Sequence, residues 1–303
     1  MAASRPLQSP LLVGRDDLLA LADRRIAEAA HGRGGLLLLA GEPGIGKTRL
    51  LAAVLQKARS AGFRAAKGDL APQDALVALA SIQDLARSMR PEAFGDLGPA
   101  LLAPRGLKGL DSLGSRRILV HEIADRVLGA VAVPTVLAFE DLQWADELTL
   151  EIIGELARAA RELPLLLVGS YRPDDLPAGS IHREWRSRLL TQRLAEEARL
   201  ARLTADQTAL VTTLLLGTEL PAPREVAEAV HRRTNGIPLH IEELLAALDS
   251  DPDGRRVRDA AVPSTIGDAV LARVGRLSAE AQAVAKAGAV MGRCFVPEVL
   301  AGI

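Results

Sequence analysis

The chain is poor in the residues that several protein classes depend on. Cysteine occurs once, as Cys294, which excludes an intrachain disulfide and a cysteine-built metal centre and fits a reducing, cytoplasmic setting. Cys294 itself reads as a small core residue. Aromatics make up 2% of the 303 residues, whereas 49% are apolar, mostly Ala, Leu and Val. That balance favours helices around a sheet over an all-β sandwich. No apolar run nears the roughly 20 residues that span a bilayer, and the N-terminus has no basic segment leading into an apolar core. A soluble protein away from membranes is expected. Charge of one sign is also lacking: 37 basic residues face 38 acidic ones for a net charge of −1. The basic residues are scattered, so the footprint of a nucleic-acid surface is missing and no direct nucleic-acid binding is expected.

The chain does contain alternating elements. After a loose tail over 1–10, Asp16 and Asp17 open an apolar helical pattern that runs to about Ala30. Leu36 to Ala40 is a continuous apolar run between glycines, as in a parallel strand buried on both faces, and a helix is predicted from Lys47 to Ser60. A weak strand near Phe63–Lys67 follows, then helical patterns over about 74–90 and 115–130 with a Gly/Pro-rich connection between them. Thr135–Phe139 and Leu165–Ser170 are two further apolar strands, separated by a helix from about Leu148 to Glu162. This alternation predicts a parallel, doubly wound sheet. Beyond Tyr171 the pattern is nearly all helix, with a last strand expected at Ala198–Leu203 and helices at about Ala205–Leu216 and Arg224–Arg233. The expected domains are 1–30, a tail and first helix; 31–203, an α/β core; 204–250, a helical lid; and 251–303, a linker and the start of a further domain.

Residues 41 to 48 read Gly41-Glu42-Pro43-Gly44-Ile45-Gly46-Lys47-Thr48, which satisfies G-x-x-x-x-G-K-[ST]. The glycines let the backbone fold into a nest of N–H groups, and the helix that follows points its positive end at the same phosphates. Lys47 is expected to reach the β- and γ-phosphates and Thr48 to offer its hydroxyl to Mg²⁺, with Arg49 counted among the nucleotide contacts. The strand Thr135–Phe139 runs into Glu140 and Asp141, two carboxylates placed to hold the metal and to polarise an attacking water. The Asn-Lys-x-Asp base-reading signature of GTPases is absent from the sequence. ATP is therefore favoured.

Four segments together resemble the STAND class of AAA+-related P-loop ATPases, and in particular the N-terminal ATPase module of large ATP-binding LuxR-type transcriptional regulators. The first is Leu12-Val13-Gly14-Arg15 before Asp16; the resemblance implies that Val13, Gly14 and Arg15 line the adenine pocket. The second is Phe139-Glu140-Asp141-Leu142-Gln143-Trp144-Ala145-Asp146, a long extension of the acidic pair in which Trp144 is expected to pack beneath the site. Many relatives carry Asp where this chain has Glu140, which leaves open which carboxylate takes the metal and which acts as base. The third is Gly169-Ser170-Tyr171-Arg172-Pro173-Asp174, similar to a sensor 1 region, so Arg172 is expected to read the γ-phosphate. The fourth is Asn235-Gly236-Ile237-Pro238, where the resemblance sets Pro238 against adenine. Residues 262–303 resemble the opening of a winged-helix domain that stops before completion. The five histidines, His31, His121, His182, His231 and His240, read as surface or packing residues.

The fold implied is α/β: a parallel-sheet P-loop core with a helical lid and an incomplete winged-helix-like segment. The function implied is an ATP/ADP- and Mg²⁺-dependent switch of low turnover, serving a transcription or signalling regulator. Its inducer and output domain would lie outside this chain, and nucleotide-dependent self-association is an expected behaviour. A steadily working ATPase or phosphotransferase and an ADP-holding scaffold are the alternatives.

Overall fold

In the computed structural model, residues 8–72, 79–88, 113–131, 133–217, 221–249, 274 and 279–291 are described. They divide into two compact units, one from the described residues of 14–201 and one from those of 1–13 and 202–303.

The larger unit carries α1 (Asp16–Ala30), β1 (Gly35–Ala40), α2 (Lys47–Ser60), β2 (Arg64–Asp69), α3 (Ala80–Ser88), α4 (Leu113–Ala130), β3 (Thr135–Glu140), α5 (Glu147–Ala159), β4 (Leu165–Tyr171), α6 (Ile181–Thr191) and β5 (Ala195–Arg199). The five strands form one parallel sheet in the order β2-β3-β4-β1-β5. Every residue of β1, β3 and β4 is buried, because helices cover both faces. Period-two alternation sorts the side chains: Leu36, Leu38, Leu137, Phe139, Leu165 and Leu167 join a core with α3, α4, α5 and α6. Leu37, Leu39, Val136, Ala138, Leu166 and Val168 join a second core with α1 and α2. A continuous apolar run is the composition such a strand requires.

The parallel α/β sheet agrees with the expected fold class. The last strand does not lie where the apolar pattern put it. It spans Ala195–Arg199 instead of Ala198–Leu203, and within it only Ala198 is buried. An edge strand keeps one side in water, whereas Leu200 and Leu203 are buried outside any strand. The apolar signal therefore marked the wrong residues.

The smaller unit holds α7 (Ala205–Leu216), α8 (Arg224–Thr234), α9 (Pro238–Asp249) and α10 (Ala279–Met291). Helix α7 opens on a capping box, in which Thr204 Oγ1 accepts from Gln207 N–H and Gln207 Oε1 accepts from Thr204 N–H. Leu203, Val211, Leu215, Val230, Ile241, Leu244 and Leu245 make its core, and Val13 packs against them. Ser9 N–H donates to Glu242 Oε1 at 3.1 Å. Among the described residues no helix is long and apolar enough to cross a membrane. Most of the Gly/Pro-rich connection, Cys294 and most of 251–303 lie outside the described residues.

Gly236 fixes the approach to α9. Its φ is +71°, its C=O accepts from Leu203 N–H at 2.8 Å, and a Cβ built there would lie 2.2 Å from the Leu203 carbonyl oxygen. Gly236→Ala is expected to destabilise the smaller unit by about 1–3 kcal/mol, through strain at a left-handed position and the backbone shift. Denaturant unfolding measures this; an unchanged midpoint would show that the Leu203–Gly236 pairing is not fixed.

Candidate functional site

The phosphate-type loop leaves β1 at Ala40 and enters α2 at Lys47. Gly44 and Gly46 take φ of +74° and +101°, values that Cβ-bearing residues rarely adopt. These turns let Ile45 N–H bond Glu42 O at 3.3 Å and Leu50 N–H bond Gly46 O at 2.9 Å. Lys47 folds back over the loop: its Nζ donates to Gly41 O at 2.7 Å and to Glu42 O at 3.0 Å, and the residue is 7% exposed. Burial, and then the charge of Arg172, pulls the Lys47 ammonium below its ordinary value, against opposing pulls from Asp141, Asp175 and Glu140.

Behind the loop stands Arg15, 4% exposed. Its guanidinium donates to Ile45 O at 3.0 Å and to Gly14 O at 2.9 Å. Burial lowers its pKa, but a guanidinium stays charged. Arg15 thus clasps the loop backbone with the fork the sequence reading assigned to the adenine side. Val13 and Pro238 belong to the other unit, Val13 against its core and Pro238 at the first position of α9. The missing N–H of proline costs nothing at that position.

Strand β3 delivers the two carboxylates in different ways. Glu140 is the last strand residue and is 2% exposed. One of its oxygens, Oε1, accepts from the Thr48 hydroxyl, and the other, Oε2, pairs with Lys67 Nζ at 2.6 Å. Asp141 turns the chain with a left-handed φ of 60°, while its N–H donates to Ser170 Oγ at 3.2 Å. Its Oδ1 accepts from Gln143 Nε2 at 3.0 Å, and Gln143 Oε1 accepts from Arg172 N–H at 3.2 Å. Trp144, partly buried, packs against the larger core.

Arg172 follows β4, with Nε 3.7 Å from Asp141 Oδ1 and Nη1 3.6 Å from Asp175 Oδ2. Its Nε is shielded from water and has no hydrogen-bond partner among the described residues. The strand end beneath it is pinned: the Tyr171 hydroxyl and Arg186 Nε both donate to Glu197 Oε2, and Arg199 Nε donates to Glu197 Oε1 at 2.9 Å. Burial pushes Glu197 up, but the hydrogen bonds from Tyr171, Arg199 and Arg186, with the charge of Arg186, outweigh it and hold the carboxyl below its ordinary 4.5.

Lys47, Thr48, Glu140, Asp141 and Arg172 are therefore brought together at the C-terminal ends of β1, β3 and β4, the edge at which open parallel sheets bind ligands. Sequence reasoning missed two residues. Gln143 was visible within the extended acidic segment but had no role. Lys67 gave one weak signal, as one of five lysines in a chain rich in arginine. Among the described residues there is no group of three or more His, Cys, Asp and Glu to hold a metal. The Thr48 hydroxyl with one or two carboxylates and phosphate oxygens is the all-oxygen donor set that suits Mg²⁺. Three histidines have partners outside the predicted site residues: His31 on Ala27 O and His182 on Ala145 O in the larger unit, and His231 on Thr208 Oγ1 in the smaller.

A family model described as the AAA ATPase domain matches residues 11–168, just over half of the chain. An uncharacterized protein of Rhizobium meliloti (strain 1021) is 28% identical over 301 residues, which covers 86% of this chain and 28% of that protein. The chain thus spans little more than a quarter of the length of that relative. Among solved structures, Drosophila ORC bound to DNA is similar with a TM-score of 0.52 at 15% identity, over 93% of this chain and 70% of that one. AMPPCP-bound DnaA from Aquifex aeolicus gives a TM-score of 0.48 at 16% identity, over 84% and 68%. The first likeness is one of fold.

Two outcomes follow from this geometry. Arg15→Met leaves the Ile45 and Gly14 carbonyls without their donor, so a loss of about 1–3 kcal/mol of stability and weaker nucleotide binding are expected, read by thermal unfolding and titration. An unchanged melting temperature would mean that the clasp does not matter. Because Glu197 is depressed, its stabilising contribution is full above 4.5 and falls away as pH drops through the lower folded value. Glu197→Gln should flatten that part of the stability–pH profile, as followed by unfolding between acid and neutral pH.

Proposed function

The chain belongs to the AAA ATPase domain family, and from that premise we propose that its ATP site works as a switch of low turnover for a regulator. Lys47 holds the β- and γ-phosphate oxygens and the glycine loop cradles them with its N–H groups. Mg²⁺ would be held by Thr48 and Glu140 with the phosphates, and when bound it neutralises phosphate charge. Asp141 takes the role of base: it is the less buried of the two acids, and its Oδ1 is oriented by Gln143. Accepting a proton from an attacking water is then its task.

The observation that carries the switch reading is the position of Arg172. It lies close enough to Lys47 for the two charges to oppose each other, yet its buried Nε makes no hydrogen bond among the described residues. Two cations that feel one another's charge, one with an unused donor, suit an anion that both can touch. A γ-phosphate would relieve the opposition and draw Arg172 from Asp141 and Asp175. Loss of that phosphate would return it, and the Pro173–Asp175 turn would feel the difference. A ligand shifts an equilibrium only by its difference in affinity for the two states.

The resemblance to LuxR-type regulators supports a transcriptional or signalling role in the cytoplasm, with inducer and output domain elsewhere in a longer polypeptide. Nucleotide-dependent self-association belongs to the same proposal. Arg172→Ala is expected to reduce the preference for ATP over ADP by about tenfold, the worth of one charge-assisted hydrogen bond. Titration with ADP and a non-hydrolysable ATP analogue, each with Mg²⁺, measures the ratio. An unaltered ratio together with unaltered hydrolysis would remove Arg172 from this role.

A further inference from the structure

We propose that Lys67 is a built-in counter-cation for Glu140 that shares this carboxylate with the divalent metal of the ATP site. Metal and lysine would then be alternative partners of one oxygen. The inference rests on the ATP·Mg²⁺ reading above, but it concerns a residue that reading does not use.

Glu140 is 2% exposed, and a carboxylate so placed needs compensation, since a buried charge without a partner is strongly destabilising. Thr48 supplies a neutral hydroxyl to Oε1. Among the described residues the cation in direct contact is Lys67, at 2.6 Å from Oε2. This contact is a product of sheet register. Strands β2 and β3 run parallel with Asp69 opposite Glu140, and Lys67, two residues earlier on the same face of its strand, reaches along the sheet to the strand end.

Lys67 also has a second place to go. Its Nζ lies 2.8 Å from Asp69 Oδ1 as well as 2.6 Å from Glu140 Oε2, and its side chain is 31% exposed. A compact ammonium on a flexible four-carbon stem can move between two carboxylates without losing its charge partner. If a metal claims Oε2, Asp69 keeps the lysine. If no metal is present, the lysine keeps Glu140 charged and aimed at Thr48. The device would separate assembly of the empty site from the arrival of Mg²⁺.

The test follows the thermal stability of the chain with ADP present, in a chelator and across a Mg²⁺ titration, for wild type, Lys67→Met and Asp69→Asn. Lys67→Met should melt well below wild type in the chelator, and Mg²⁺ should narrow that gap. Its Mg²⁺ midpoint should fall by about tenfold, the worth of one charge-assisted bond. Asp69→Asn leaves Lys67 with Glu140 alone, so its midpoint should move the other way. A gap that stays equal with and without Mg²⁺ would make the pair purely structural and overturn the proposal, as would midpoints that shift together or remain fixed. Should Lys67→Met fail to fold under both conditions, Asp69→Asn decides alone: a raised midpoint supports the proposal and any other result overturns it. A wild type that binds no ADP, or shows no response to Mg²⁺, would instead sink the ATP-site reading itself.

Discussion

A sheet buried on both faces can offer a ligand only its ends, and the rest of this molecule follows from that constraint. Strands β1, β3 and β4 have no residue in water, so their polar groups are displaced to the points where the chain leaves the sheet. Gly41 follows β1, Glu140 closes β3, and Arg172 follows β4. These strands are hydrogen-bonded neighbours in the order β3-β4-β1. Adjacent strands lie about 4.8 Å apart, so three chain segments distant in sequence deliver their side chains to one small region. The two apolar cores fix this geometry, and the chemistry is a consequence of where burial stops.

The parts of this arrangement written in local pattern were readable from the sequence. Helix α2 begins at Lys47 and ends at Ser60, as its glycine boundary and apolar spacing imply, and α7 fills Ala205–Leu216 between a threonine cap and a glycine. The buried strands announced themselves through unbroken apolar runs. Strand β5 did not, because its Ala-Glu-Glu-Ala-Arg sequence belongs to an edge where polar residues are tolerated. The Lys67–Glu140 contact was beyond reach for another reason. It spans 73 residues and depends on the register of β2 against β3, which neither strand encodes alone. Arg15 was legible as part of a functional segment, but its hold on the loop backbone depends on how α1 packs on α2, and no spacing rule gives that.

The charges form a connected set instead of isolated pairs. Lys47 lies in the combined field of Arg172, Asp141, Asp175 and Glu140, while Glu140 is tied to Lys67 and Lys67 to Asp69. In a region of low effective dielectric such groups respond to one another, so a change at one is felt at several. In the proposed switch, it is this shared field that arrival or loss of a phosphate group would alter.

The left-handed backbone at Asp141 gives the two acids separate identities. Position 140 lies in an extended strand and accepts either carboxylic acid, so the longer glutamate fits there. Position 141, at a φ of 60°, favours the short aspartate, whose side chain is among the few that tolerate this conformation. Backbone geometry thus favours aspartate at 141, while the extended strand leaves the choice between the two acids at 140 open. Exchanging the pair would keep the composition and net charge of the segment while placing the longer acid where the chain turns back on itself. In this molecule one bond rotation sets position 141 apart as the place for the shorter acid.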